Sequence, residues 1–157
     1  GMNTAAAATV VSVLALFNTC GRIIAGFVYD KIGAVKTIRN IFIISLAGLC
    51  ALYFCNKNIF IFYFGICLVG LAFGSVMGTY PGFTASQFGT KNNSVNYGIM
   101  FCGFAVAGYF GPSIMSRLYL KNSSYSIVFI IAAALSASGF LLTFLFQKIR
   151  HCQKTRF

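Results

Sequence analysis

Long apolar runs separated by short polar segments dominate this chain. The first run extends from Thr4 to Val28, and polar breaks follow at Asn56 to Asn58, at Thr84 to Asn96 and at Lys121 to Tyr125. A helix needs about 20 apolar residues to cross the hydrocarbon core of a bilayer. The pattern therefore predicts five spans, at about residues 4–28, 39–56, 59–80, 97–116 and 125–147.

The environment of these runs selects their secondary structure. Lipid offers no water to unpaired backbone amides, so a span is either a helix or a strand of a closed barrel. Continuous apolar runs without alternation exclude the barrel. The predicted fold class is all-α, a polytopic transmembrane helical bundle at residues 1–147, followed by a basic tail at 148–157.

The composition agrees with this class. Hydrophobic residues make up 59% of the chain and charged residues 8%, and the mean hydropathy is +0.84. Soluble domains carry about 25% charged residues. We therefore expect a multi-pass integral membrane protein that is embedded in a lipid bilayer. The composition does not indicate which cellular membrane this is.

The net charge of +11 in a soluble protein would suggest nucleic acid, but here the cations gather beside the spans. They follow the first, third and fifth spans, at Lys31, Lys36, Arg39, Lys91, Lys148, Arg150, Lys154 and Arg156. Such a concentration of lysine and arginine after alternate spans is typical of the cytoplasmic face of a membrane protein. It predicts a cytoplasmic C-terminus and no nucleic-acid partner, and the tail is placed to meet anionic lipid.

Side chains for acid-base or metal chemistry are scarce. The chain has one acidic residue, Asp30, and one histidine, His151, and its six cysteines form no CxxC pair. No catalytic set and no metal cluster can be assembled from these residues. We expect neither an enzyme nor a bound cofactor.

Arg22 is the exception within the first run, which otherwise carries no charge. A guanidinium at membrane depth costs at least ~2.5 kcal/mol and usually serves a ligand, a partner or a wet cavity. Asn18, four residues earlier, shares its helix face. In the alternative interpretation Arg22 snorkels to the interface, about 9 Å away by helical rise, or pairs with Asp30.

Small residues recur at helical spacing on the third and fourth spans. The two stripes are Gly70, Gly74 and Gly78, and Gly103, Ala107 and Gly111. Such stripes let helix backbones approach closely. They are compatible with static packing and with helices that slide during alternating access.

The junction after the first span resembles the cytoplasmic loop motif of the major facilitator superfamily. The matching residues are Gly26, Asp30, Gly33 and Lys36. In that superfamily the loop is linked to conformational switching. Physically, Gly26 permits close helix contact, Asp30 caps a helix or pairs with a cation, and Gly33 permits a tight reversal.

The segment from Tyr80 to Asn92, with Asn96 to Gly98 and Gly111-Pro112, is similar to the oxalate/formate antiporter family and its monocarboxylate-carrying relatives. The stretch from Asn18 to Arg22 resembles the eighth helix of that group. The resemblance implies that the five spans correspond to helices eight to twelve of a twelve-helix carrier. It also implies a partner absent from this chain, the N-terminal half.

The same resemblance implies a secondary active transporter working by alternating access, as an antiporter or with proton coupling. Arg22 is expected to bind the substrate carboxylate, Asn18 to orient it, and Tyr80, Phe101 and Phe104 to form aromatic walls. The oxalate exchanger has a second cation where this chain has Phe104. A single fixed charge favours a small organic anion with one carboxylate, such as formate, pyruvate or lactate.

Two further hypotheses remain at this point. The chain is a facilitator for another solute, in which Arg22 belongs to a structural network, or it is a truncated membrane subunit that does not transport.

Overall fold

Five helices make up the part of the chain that the structure describes, residues 4–55, 58–122 and 125–154 of a computed structural model. They are α1 (Thr4–Ile32), α2 (Ala34–Tyr53), α3 (Ile59–Phe88), α4 (Asn93–Asn122) and α5 (Ser126–Lys154). Each contains a segment long and apolar enough to cross a membrane. The predicted all-α transmembrane bundle is confirmed.

The helices are longer than the apolar runs that predicted them. Helix α2 begins at Ala34 instead of near residue 39, α3 continues through Pro81 to Phe88, and α4 begins at Asn93 instead of near residue 97. A helix satisfies its own backbone amides and therefore extends past the hydrocarbon boundary with polar side chains. The segment from Thr84 to Asn96 is thus mostly helical, although its polar residues suggest a loop. Residues 155–157 of the predicted tail lie outside the described part.

Helix α3 is the centre of the packing. It lies against α1 along one face and against α2 along another, and α5 packs mainly on α2. Helix α4 touches α3 and α5 only lightly. The described chain is therefore a tight α1–α3–α2 layer extended by α5, with α4 at its edge.

The glycine stripe of α3 is the contact surface for α1. A Cβ at Gly74 would collide with a backbone carbonyl oxygen, one at Gly78 would lie 2.8 Å from another, and one at Gly70 would lie 3.0 Å from a third. These oxygens belong to Asn18, Arg22 and Leu14, respectively. Only glycine allows two backbones to come this close, so the predicted close approach at α3 is confirmed.

A hydrogen bond also links α1 and α3 along this line of close contact, which is called the α1–α3 seam below. The Ser75 hydroxyl, which is buried, lies 2.7 Å from the Leu71 carbonyl oxygen on its own helix and 3.2 Å from the Gly21 carbonyl oxygen on α1. Interhelical hydrogen bonds of this kind contribute about 0.6 kcal/mol on average in membrane proteins. The seam therefore combines close packing with a polar link.

The small-residue stripe of α4 behaves differently. A Cβ built at Gly103 or Gly111 would meet no atom within 4 Å, and none of the described side chains of α4 is buried. The expected close approach at Gly103, Ala107 and Gly111 is therefore wrong for the described residues, because the other four helices pack together without covering this face.

Candidate functional site

Arg22 and Asn18 meet on the surface of α1. The Arg22 Nε donates a hydrogen bond to Asn18 Oδ1 at 3.3 Å, as their shared helix face predicts. Arg22 is exposed and Asn18 is half-buried. The described structure thus joins Arg22 to Asn18 and not to Asp30, and the amide fixes one edge of the guanidinium.

A cavity of about 340 Å³ opens between α3 and α4. It is lined by the three aromatic residues that the sequence singles out and by four others; together they are Val76, Met77, Tyr80, Tyr97, Met100, Phe101 and Phe104. Helical spacing of three and four residues on both helices explains why they share a face. Tyr80, Phe101 and Phe104 were candidates from the sequence. Tyr97 and the aliphatic and methionine residues of the lining became recognisable only from the pairing of α3 with α4.

Ring contacts connect one wall of this cavity. Tyr97 and Phe101 have centroids 5.5 Å apart, Phe101 and Phe104 4.9 Å apart, and Phe104 and Phe73 5.9 Å apart. Aromatic pairs at such distances add about 0.5–1.5 kcal/mol each beyond area burial. The last pair crosses from α4 to α3. The rings therefore hold the two walls together at this point.

The lining of this cavity carries no charged side chain; its polar side-chain groups are the hydroxyls of Tyr80 and Tyr97. Arg22 and Asn18 are not among the lining residues. The Arg22 backbone nevertheless lies against Gly78 on α3, and the residue that precedes Gly78, Met77, lines the cavity. The structure brings the three aromatic candidates together and places the cation on the adjoining helix.

A second cavity, of about 250 Å³, lies between α2, α3 and α5. Its lining is almost entirely apolar and consists of Val35, Ile38, Phe42, Tyr80, Phe83, Gly139, Leu142, Thr143 and Phe146. Of the residues described as lining either space, Tyr80 alone belongs to both. Tyr80 is therefore the residue at which the two cavities adjoin.

The junction between α1 and α2 depends on Gly33. This residue has φ 82° and ψ 165°, a region that is essentially limited to glycine. Its amide donates to the Tyr29 carbonyl at 2.9 Å, and the Thr37 amide donates to the Gly33 carbonyl at 3.1 Å. The backbone thus reverses with its hydrogen bonds intact, which is the tight reversal that the sequence predicts.

The other residues of this junction lie differently from the expectation. A Cβ at Gly26 would meet no described atom within 4 Å, so this glycine makes no close helix contact there. The N-cap of α2 is Gly33, without a side-chain hydrogen bond, so Asp30 does not cap the helix. Asp30 and Lys36 are both exposed.

Replacing Gly33 with alanine is expected to destabilise the protein, because the Cβ is strained at this φ and ψ by about 1–3 kcal/mol. The midpoint of thermal unfolding in detergent should fall. Gly98→Ala is the control, since its Cβ would meet nothing within 4 Å and alanine is the better helix former. Equal midpoints for the two variants would contradict the strained conformation at Gly33.

Arg39 has a partner on another helix that the sequence does not reveal. Its Nη2 donates to Gln147 Oε1 at 2.6 Å and its Nε to Thr143 Oγ1 at 3.5 Å, and its Cζ lies 3.8 Å from the ring centroid of Phe144. These contacts join the start of α2 to the end of α5. The two cationic segments that the charge pattern assigns to one face therefore lie at the same end of the bundle.

Comparison with known proteins gives a family match over nearly the whole chain. The sequence model of the Major Facilitator Superfamily matches residues 1–155. The sialic acid transporter NanX of Escherichia coli is 32% identical over 145 residues, which are 90% of this chain and 35% of that protein. The oxalate:formate antiporter of Oxalobacter formigenes is 33% identical over 135 residues, which are 84% of this chain and 32% of that protein.

A vertebrate relative gives a similar match. Monocarboxylate transporter 12-B of Danio rerio is 27% identical over 155 residues, which are 96% of this chain and 32% of that protein. The chain therefore spans about a third of the length of these three relatives. No solved structure matches it.

Proposed function

The chain belongs to the major facilitator superfamily, and on that premise we propose that it forms part of a secondary active transporter for a small monocarboxylate. Five apolar helices and the family match make it a multi-pass integral membrane protein. In the proposed function the cargo crosses by alternating access, by exchange or with proton coupling, and the C-terminus is cytoplasmic.

The observation that carries this proposal is the hydrogen-bonded pair Arg22 and Asn18 on α1, the helix that packs against α3, which is one wall of the aromatic cavity. Arg22 is the charged residue in an otherwise uncharged run and is oriented by Asn18. A guanidinium presents a planar fork that matches one carboxylate with two parallel hydrogen bonds. The cavity between α3 and α4 has no charged side chain in its lining. One fixed cation beside apolar walls suits an anion with one carboxylate.

The relatives support the chemical class of the cargo. The names of three of them refer to sialic acid, to monocarboxylates and to oxalate and formate. All of these are organic acids, and a carboxylate is the group that they share. An Arg22-centred site is the simplest recognition element for that group in this chain.

The remaining roles follow from the same proposal. Tyr80, Phe101 and Phe104 form the walls against the body of the cargo. The junction residues, Gly26, Asp30, Gly33 and Lys36, belong to the α1–α2 junction, which moves when the carrier changes conformation. The uncovered face of α4 packs against an N-terminal half supplied by the rest of the carrier.

Uptake into proteoliposomes containing the assembled carrier tests the proposal. We expect formate, pyruvate or lactate to enter in preference to oxalate. Phe104→Lys should shift the preference toward oxalate, because a second cation neutralises the second carboxylate. Phe104→Met is the matched control, since it alters the wall without adding charge and should keep the monocarboxylate preference.

The outcomes separate the alternatives. If the carrier takes up another solute but no carboxylate, the chain is part of a facilitator for that other solute. If Phe104→Lys and Phe104→Met give the same preference, position 104 does not face the anion.

A further inference from the structure

We propose that the preferred cargo carries an apolar body of about ring size beside its single carboxylate, and that Tyr80 limits the length of this body. The inference rests on the proposed function, because it assumes that Arg22 holds the carboxylate. The inference goes beyond the proposed function in two respects. It names acids with an apolar body as the substrate class, and it names Tyr80 as the residue that selects among them by length.

The size of the first cavity is the first argument. An apolar cavity of about 150 Å³ accommodates benzene, and the space between α3 and α4 is about 340 Å³. A formate or oxalate ion would leave most of this volume to water. A phenyl or branched aliphatic group would instead contact both helix walls.

The chemistry of the walls is the second argument. Aromatic, aliphatic and methionine side chains surround the space, with only the hydroxyls of Tyr80 and Tyr97 as polar side-chain groups. Such walls do not replace the water lost by a small, fully charged ion. They do favour the transfer of apolar surface from water, and methionine adapts to irregular shapes.

The position of Tyr80 supplies the length limit. Tyr80 belongs to the lining of the 340 Å³ cavity and also to that of the 250 Å³ cavity between α2, α3 and α5. The second cavity is also lined mainly by apolar groups. Removing the ring would connect the two spaces and admit a longer apolar body, whereas removing only the hydroxyl would keep the partition.

The experiment compares acids of increasing apolar length in proteoliposomes containing the assembled carrier. Acetate, phenylacetate and 4-phenylbutyrate are tested as inhibitors of the exchange of labelled acetate. Phenylacetamide is the uncharged control for phenylacetate. Protein-free liposomes correct for passive entry of the acids. Phenylacetate should have a half-inhibitory concentration about tenfold below that of acetate, the usual effect of burying one large apolar group.

Variants at Tyr80 test the length limit. In the unaltered carrier, 4-phenylbutyrate should inhibit less well than phenylacetate. Tyr80→Ala should lower the half-inhibitory concentration of 4-phenylbutyrate by about tenfold, and Tyr80→Phe should leave the order of the acids unchanged. Tyr80→Leu provides a folded intermediate-size variant if the alanine form is lost from the membrane, and it should shift the order in the same direction.

The results that would overturn the inference differ from those that would overturn the proposed function. Equal inhibition by acetate and phenylacetate, while acetate exchange still depends on Arg22, would reject the apolar body and leave a small-anion carrier. An unchanged order of acids in Tyr80→Ala or Tyr80→Leu would reject the length limit. Inhibition by phenylacetamide as strong as that by phenylacetate, or no carboxylate exchange at all, would reject carboxylate binding itself.

Discussion

Arg22→Lys should lower monocarboxylate uptake by about a hundredfold, measured as the uptake rate at substrate concentrations well below saturation. Lysine keeps the charge and loses the planar fork, so one hydrogen bond to the carboxylate and the bond from Nε to Asn18 both disappear. Hydrogen bonds to charged groups contribute about 1.5–3 kcal/mol, and 2.7 kcal/mol corresponds to about a hundredfold.

A second arginine provides the matched control for this substitution. Arg117 lies on α4, away from the α1–α3 contact that carries Arg22, and lines a different cavity with Tyr109, Phe110, Ser113 and Ile114. Arg117→Lys should therefore leave uptake within about twofold, as is usual for exposed positions away from a site. Undiminished uptake by Arg22→Lys would instead assign Arg22 to the interface, with its charge in the headgroups.

The sequence predicts the membrane class and the helix content because hydrophobic length and backbone satisfaction depend on the chain alone. It predicts the helix ends less well. Ala34 and Phe88 lie in helices beyond the apolar runs, since the helical hydrogen bonds continue where the side chains become polar. The boundary in the sequence marks the edge of the hydrocarbon, and the boundary in the structure marks the end of the backbone pairing.

Predicting contacts between helices requires more than periodicity. The stripe at Gly70, Gly74 and Gly78 and the stripe at Gly103 and Gly111 have the same spacing, yet only the first meets another backbone in the described chain. Spacing identifies a face of a helix but does not specify the helix that covers it. The contacts of Arg39 with Gln147 on α5 were likewise not predictable, because more than a hundred residues separate them in the chain.

In the candidate site, too, features within one helix were predictable and contacts between helices were not. Arg22 and Asn18 were predictable because residues four apart on a helix are neighbours. That Tyr80 shares a cavity with Phe101 and Phe104 depends on how α3 pairs with α4. Resemblance to a family suggested these aromatic residues, and the helix pairing added Tyr97 and Met100.

Gly74→Ala should cause the largest loss of stability among single alanine substitutions in the described glycines of α3. Its Cβ would collide with the backbone carbonyl of Asn18, and a backbone atom in a packed seam cannot move aside as a flexible side chain does. Overpacking of a close contact costs about 1–3 kcal/mol and sometimes more. The same contact holds the segment of α1 that carries Arg22 against α3, which forms one wall of the 340 Å³ cavity. Separating the two helices here should therefore also lower carboxylate uptake.

The glycines of this seam form a graded series for that test. The midpoint of thermal unfolding in detergent should fall most for Gly74→Ala, less for Gly78→Ala and least for Gly70→Ala, since the closest distances are 2.8 Å at Gly78 and 3.0 Å at Gly70. Gly108→Ala, where a Cβ meets nothing within 4 Å, should hold or slightly raise the midpoint because alanine favours helix by about 1 kcal/mol. A midpoint for Gly74→Ala equal to that of Gly108→Ala would mean that α1 does not pack closely on α3, and the proposed site, which needs Arg22 held against α3, would lose its structural basis.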